Sequence, residues 1–463
     1  MEGRRLHNID LKEKHMLHTE GGKRMATQLE RIAEVAKAKP EEKFTSLIHL
    51  INKETLIQSH KEMNGKKVAG VDEITKDMYN ERLEENVEDL VDRMKRQAYK
   101  PQPARRVYIP KPGTDKKRPL GIPSYEDKLV QSALAKILNA IYEQDFMECS
   151  FGFRPKRGCH DALKLLDKIV NKRQIHYVVD ADIRGFFDNV SHEWMMKFIE
   201  HRIADVNICR LISRMLKSGI IEAGIKYDTP QGTPQGGVVS PILANIYLHY
   251  VIDLWFEIRI RKNCKGEAYM VRYADDSVFC FQYEEDAKKF YEEFITRLGK
   301  FNLEIAEEKT KIIELKKDIN DDDNDKGENS FDFLGFTHYV GKDKNGRKRV
   351  KRKTSKKKYK ASLLRCKEWM KENRTTPIKQ FMKTMKAKIQ GHCNYYGITD
   401  NRRIVGNFID EIRKLIFKWL NRRSQKRSFN WEKFNLFLMR YPLPIAKTYI
   451  NVFDLGAGNS YIM

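Results

Sequence analysis

The feature that most constrains this chain is Tyr273-Ala274-Asp275-Asp276, set between the apolar runs Tyr269-Met270-Val271 and Val278-Phe279-Cys280-Phe281. Two apolar runs around a short polar tip predict a β-hairpin. Adjacent carboxylates at such a tip repel each other unless a cation shares them. Mg²⁺ and other hard divalent ions choose carboxylate oxygen, and a pair of them clamps the attacking and leaving oxygens of phosphoryl transfer. An Asp-Asp tip by itself more often marks a solvated turn, so partners elsewhere must decide.

Upstream, His176-Tyr177-Val178-Val179-Asp180-Ala181-Asp182-Ile183 alternates as a strand does, placing Asp180 and Asp182 on the face opposite Tyr177, Val179 and Ile183. The segment leads into Gly185-Phe186-Phe187-Asp188, whose rings suit either a core or a wall against a substrate sugar. Between the two acidic sites lies Thr233-Pro234-Gln235-Gly236-Gly237, then Ser240-Pro241 and an apolar run from Ile242 to Phe256. Ser240 fits a helix N-cap and Pro241 the first helical position. The paired glycines permit close backbone approach, and Gln235 offers a donor and an acceptor beside them.

In this order, Asp182, the Pro-Gln-Gly-Gly segment and Tyr273-Ala274-Asp275-Asp276 resemble the palm motifs of reverse transcriptases. Ile109-Pro110-Lys111-Pro112, Arg118-Pro119-Leu120-Gly121-Ile122-Pro123, Ser150-Phe151-Gly152-Phe153-Arg154-Pro155 and Phe331-Asp332-Phe333-Leu334-Gly335-Phe336 are similar to finger and late-palm blocks of the bacterial group II intron reverse transcriptases, the maturases. The resemblance runs from about residue 45 to 430, and these blocks in one order are far more specific than any one alone. It implies an α+β, right-hand polymerase: fingers and an antiparallel palm sheet with helices, then an α-helical thumb.

The resemblance also implies site roles. Asp182, Asp275 and Asp276, with the Ile183 backbone carbonyl, would hold two Mg²⁺ ions. Lys111 and Arg118 would grip the triphosphate. Phe186 would stand against the sugar with Phe187 in the core, Gln235 would meet the nascent pair, and Arg154 would touch template or nucleotide. Lys309, in Glu307-Glu308-Lys309-Thr310, matches a late-palm lysine near the pyrophosphate, although a plain surface lysine is an equal reading. Asp180 and Asp188 match no catalytic position. The partners implied are dNTPs, an RNA template with a DNA primer and group II intron RNA, with target DNA as a further candidate. The activity implied is RNA-directed DNA synthesis combined with intron splicing and mobility. The alternatives are a domesticated or defence-type bacterial reverse transcriptase, and a splicing maturase with little polymerase activity.

Charge distribution supports a nucleic-acid partner. The net charge is +24, and residues 342–463 alone hold 32 Lys and Arg against 8 Asp and Glu, so residues 1–341 are balanced. The surplus is densest at Arg347, Lys348, Arg349, Lys351, Arg352, Lys353 and Lys356-Lys357-Lys358. Such runs are usually solvated linkers, but after a polymerase-like core and before aromatic-bearing helices they point to phosphate backbone. A membrane surface fits less well, because no continuous apolar face accompanies the basic one. No apolar run is long enough to span a bilayer and the N-terminus lacks a signal-peptide core. Seven cysteines without a C-x-x-C pair argue against disulfides and zinc, and suit a bacterial cytoplasm.

The expected division is an N-terminal extension (1–44), fingers and palm (45–341), a basic linker and thumb (342–430) and a tail (431–463). A helix is predicted through Met25 to Ala38, another after the cap-like Ser124, and thumb helices around Leu363-Leu364, after Pro377 and from Ile404 to Leu420. The acidic stretch Asp318 to Asp325 misses the EF-hand pattern, since Asp322 as first position puts Phe333 where Glu is required. Gln390-Gly391-His392-Cys393-Asn394-Tyr395-Tyr396 resembles the maturase signature, and its adjacent His and Cys without distant mates are a poor metal site. Paired cysteines and an HNH-type segment are not found after the thumb, so an endonuclease is not expected, and the tail is expected to be a strap or a reduced DNA-binding region.

Overall fold

The computed structural model describes residues 25–110, 117–233, 236–316, 329–423, 429–454 and 461. Lys111, Pro234, Gln235 and the acidic stretch lie outside the described residues. Eleven strands are formed among the described residues: β1 (Ala104–Pro110), β2 (Lys117–Ile122), β3 (Tyr177–Ala181), β4 (Ile220–Glu222), β5 (Ile225–Tyr227), β6 (Ala268–Tyr273), β7 (Asp276–Phe281), β8 (Lys311–Glu314), β9 (Ser330–Phe333), β10 (Phe336–Lys342) and β11 (Lys348–Thr354). They make three sheets, ordered β2-β1-β4-β5, β6-β7-β3-β8 and β11-β10-β9. Helices fill the space between them.

The second sheet is antiparallel and carries the acidic motifs. Its side chains alternate between two cores. Val179, Met270, Phe279 and Phe281 pack with the helices Tyr125–Tyr142, Ser240–Leu248 and Glu284–Lys300. Val178, Val271, Val278 and Cys280 pack on the other face with Phe336, Val350, Met385, Ile389 and Ile412. Both faces are thus covered by apolar surface, which is why these strands read as nearly unbroken apolar runs.

Local signals placed several helices correctly. Residues 25–38 are helical as expected, and Arg202 anchors the end of this helix by donating to the carbonyls of Ala36 (3.0 Å) and Lys39 (3.2 Å). Ser124 caps Tyr125–Tyr142 by accepting from the Asp127 amide at 3.3 Å. The thumb is built of Lys356–Glu372, Ile378–Tyr396 and Arg402–Leu420, followed by Trp431–Arg440. The apolar run from Ile242 forms Ser240–Leu248 and then two π-helical segments, His249–Asp253 and Phe256–Ile260, so its polar members are not in simple α register.

The boundary expected at residue 341 falls within a hairpin. Phe336–Lys342 and the basic strand Lys348–Thr354 pair along seven registers, from Phe336↔Thr354 to Lys342↔Lys348, so the hairpin crosses it. The thumb shares its core with the palm sheet rather than following a linker.

Candidate active site

Strand pairing brings the acidic motifs together. In the β3–β7 ladder Ala181 lies opposite Ser277 and Asp180 opposite Val278, while Tyr273 and Asp276 close the β6–β7 hairpin. Asp182, one residue past β3, therefore arrives beside Asp276. Its backbone is pinned by the Ala306 amide donating to the Asp182 carbonyl at 2.8 Å, and Ile183, 4% exposed, bridges to Ile305.

The electrostatics are those of crowded acids. Burial first, then Asp275 and Asp182, push Asp276 up to about 6, against Lys358 and Lys309. Asp276 is itself solvent-exposed, and the protein around it still raises the cost of its charge. Asp275 is raised by burial and by Asp182, opposed by Arg118 and Arg272. Burial, Asp276, Asp332 and Asp182 drive Asp180 up to about 7. Lys309 ion-pairs with Asp182, which raises the lysine.

As the side chains stand, no group of three His, Cys, Asp or Glu residues among the described residues is arranged to hold one cation. Asp182 is turned instead to Lys309. The donor set nevertheless fits a hard divalent ion: mutually repelling carboxylates held against a lysine are groups that such an ion would neutralise.

Asp180 supplies a pH prediction. Its folded pKa lies above the unfolded value of 3.8. The native state therefore binds more protons, and stability is lost as pH rises from about 4 through about 7. Asp180→Asn should melt above the parent at pH 8 in metal-free buffer, with the gap narrowing at pH 5; an equal gap at both pH values would refute the assignment.

Several expected site residues belong elsewhere. Arg154 is 6% exposed, paired with Glu143 at 2.9 Å and donating to the Met147 and Ser150 carbonyls at 2.6 and 2.8 Å, so it braces a loop. Phe186 is 2% exposed, its ring against Phe187 and Tyr247, whereas Phe187 is half-buried, reversing the expected order. Within the basic run, Arg352 is fully buried and ion-paired with Asp167, and Arg349 is drawn to Asp400. These two neutralise acids of the palm–thumb junction. Arg347, Lys353, Lys356, Lys357 and Lys358 are exposed, while Lys348 and Lys351 are half-buried. His392, half-buried, stacks on Phe408 with ring centroids 3.7 Å apart and is pushed down to about 4 by burial and then by Arg365.

Other residues near the site were not singled out from sequence. Lys358 faces Asp276, and Tyr395 of the maturase-like signature donates to the Leu334 carbonyl at 2.8 Å. Arg272, immediately before Tyr273, is fully buried. A charged residue among apolar strand positions is the signal that marked it.

Comparison with known proteins agrees with this geometry. Residues 109–338 match the family model described as "Reverse transcriptase (RNA-dependent DNA polymerase)", which defines the class. Residues 359–437 match "Group II intron, maturase-specific domain". The chain thus carries a reverse transcriptase domain followed by a group II intron maturase-specific domain, and is homologous to group II intron proteins. It is 37% identical over 234 residues to "Group II intron-encoded protein LtrA" of Lactococcus lactis subsp. cremoris, covering 50% of this chain and 39% of that protein. It is also 37% identical over 206 residues to "Protein YkfC" of Escherichia coli (strain K12), covering 43% of this chain and 54% of that one. The chain therefore spans about half or less of the length of these relatives. A telomerase structure from Candida albicans, solved with a fragment of telomeric RNA, aligns at a TM-score of 0.41 with 13% identity, over 76% of this chain and 64% of that one. Among the described residues no helix is long and apolar enough to cross a membrane.

Proposed function

We propose that this chain is an RNA-directed DNA polymerase that also binds group II intron RNA to promote splicing and mobility. The observation that carries the polymerase reading is the meeting of Asp182 with the Asp275-Asp276 tip beneath Arg118, Lys309 and Lys358. When bound, two Mg²⁺ ions would lower the pKa of the primer 3′-hydroxyl and offset charge on the leaving oxygens. Asp182, Asp275, Asp276 and the Ile183 carbonyl are the groups that would hold them.

The chain's own side chains do the remaining work. Lys111 and Arg118 grip the triphosphate, and Gln235 meets the nascent pair. Lys309, ion-paired with Asp182, neutralises the departing pyrophosphate in this reading. Lys356, Lys357 and Lys358 occupy the first turn of a helix, where the helix dipole disfavours cations; a nucleic-acid phosphate there offsets that cost. The maturase-domain match supports intron RNA as the partner. Primer extension on an RNA template with Mg²⁺, together with splicing of the flanking intron by purified protein, tests both activities. Absence of extension by folded protein refutes the first, and absence of splicing refutes the second.

Relative accessibility supports one of the two rings for sugar selection. Phe187, the more accessible ring, is assigned the wall against a 2′-hydroxyl, and Phe186 the support behind it. Phe187→Ala should admit ribonucleotides while retaining DNA synthesis. Phe186→Ala should chiefly destabilise the fold, by about 3–5 kcal/mol. Competition between dNTPs and rNTPs in single-nucleotide extension checks this, and relaxed selection by Phe186→Ala alone would return the role to Phe186.

A further inference from the structure

Asn245, His249 and Asp253 lie four residues apart in an otherwise apolar run. Asn245 and Asp253 are both turned toward Arg272. The guanidinium donates to Asp253 through Nε at 2.6 Å and Nη2 at 2.5 Å, and through Nη1 to Asn245 Oδ1 at 3.1 Å and to the Ala274 carbonyl at 3.0 Å. Asn245 Nδ2 donates in turn to the Gly152 carbonyl at 2.7 Å. Arg272 and Asp253 are 0% exposed and Asn245 1%. The strand is clamped from the same loop, with the Arg272 amide donating to the Cys149 carbonyl at 2.9 Å and the Phe151 amide to the Arg272 carbonyl at 2.9 Å.

One of these hydrogen bonds ends on the carbonyl of Ala274, the residue before Asp275. Ala274 has φ +57°, in the left-handed region that costs an L-residue about 1 kcal/mol or more. Gly152 packs so closely on it that a Cβ there would lie 2.2 Å from the Ala274 nitrogen. A carbonyl held by a buried, ion-paired arginine fixes the peptide plane joining Ala274 to Asp275, and with it the direction in which the Asp275 side chain leaves the backbone. Removing a buried ion pair's partner is strongly destabilising, whereas an apolar pair of similar volume often is not, so stability alone does not account for charge here.

We infer that Arg272, Asp253 and Asn245 form a positioning device for Asp275, linking the Ser150-to-Pro155 loop and the helix after the Gly-Gly segment to the hairpin tip. None of the three touches substrate. The device rests on the reading of Asp275 as a metal ligand, and its mark is a defect in the metal requirement and the chemical step rather than in nucleotide binding.

The test compares purified full-length parent, Asn245→Ala, Asp275→Asn and Tyr142→Phe. The last removes a remote buried hydroxyl whose partners are the Phe198 and Ile199 carbonyls. Asn245→Ala should still melt cooperatively, lowered by no more than about 10 °C. Its extension rate at saturating dNTP should fall by about tenfold or more. Its half-saturating Mg²⁺ concentration should rise by about tenfold, as for other losses of support behind a metal ligand. Its dNTP KM should stay at the parent's value, and Tyr142→Phe should keep all three constants. The inference is overturned if folded Asn245→Ala has the parent's rate and Mg²⁺ requirement while Asp275→Asn is dead. If Asp275→Asn is itself active, the ligand reading fails instead. Should Asn245→Ala not fold, Gly152→Ala, pressing on Ala274 from the other side, decides by the same Mg²⁺ titration: a raised requirement supports the device and an unchanged one overturns it.

Discussion

Asp275→Asn, Asp276→Asn and Asp182→Asn are each expected to abolish primer extension, lowering the rate by about a thousandfold or more, or about 4 kcal/mol of transition-state stabilisation. An amide retains the size of the carboxylate and loses the charge that a divalent ion and the developing transition state require. Folding should not suffer. Asp275 and Asp276 are held above the normal carboxylate range by burial and by neighbouring acids, so removing a charge relieves the metal-free protein. Single-turnover extension beside thermal melting separates the two effects. Near-parental extension by a well-folded Asp275→Asn would reduce the hairpin tip to a solvated turn.

The second large effect concerns RNA. Replacing the exposed Lys353, Lys356, Lys357 and Lys360 by Gln should weaken intron RNA binding and reduce the log–log salt slope by about 0.7 to 0.9 for each phosphate no longer neutralised. Polymerase-dead Asp275→Asn should keep the parent's slope and still support splicing, because RNA binding uses cations and no catalytic carboxylate. Arg352→Ala should behave differently from the lysine variants. It leaves Asp167 buried without its partner and should cost about 3–5 kcal/mol of stability. Filter binding across a salt series, with melting curves, distinguishes the classes. An unchanged slope in the quadruple variant would remove this surface from the RNA footprint, and an undisturbed melt of Arg352→Ala would refute its structural role. Deleting residues 342–463 is not an equivalent experiment, since Val350, Met385 and Ile412 would be stripped from the core they share with Val178 and Val271.

Much of the architecture was legible because it depends on short-range pattern. The β6–β7 hairpin follows from apolar runs around a polar tip, the Ser124 cap from a hydroxyl three residues before an amide, and the thumb helices from 3.6-residue spacing and Pro377. The three acids of the site were legible for a related reason: each sits at a strand end or turn whose position local pattern defines.

What the sequence by itself determined is therefore the elements, the acids and the sign of the C-terminal charge. Only the tertiary structure decided how individual charges are used. Arg352 looked like one more cation in a basic run, but its partner Asp167 lies 185 residues away, and packing buried them together. Arg154 was claimed by Glu143 and nearby carbonyls, and Phe186, not Phe187, by the core. Asn245 and Asp253, on helical segments, gained their meaning only when Arg272 arrived from strand β6. The physical reason is common to these cases: periodicity reports which face of an element is apolar, whereas a buried charge must be neutralised by whichever partner the fold brings within hydrogen-bond reach.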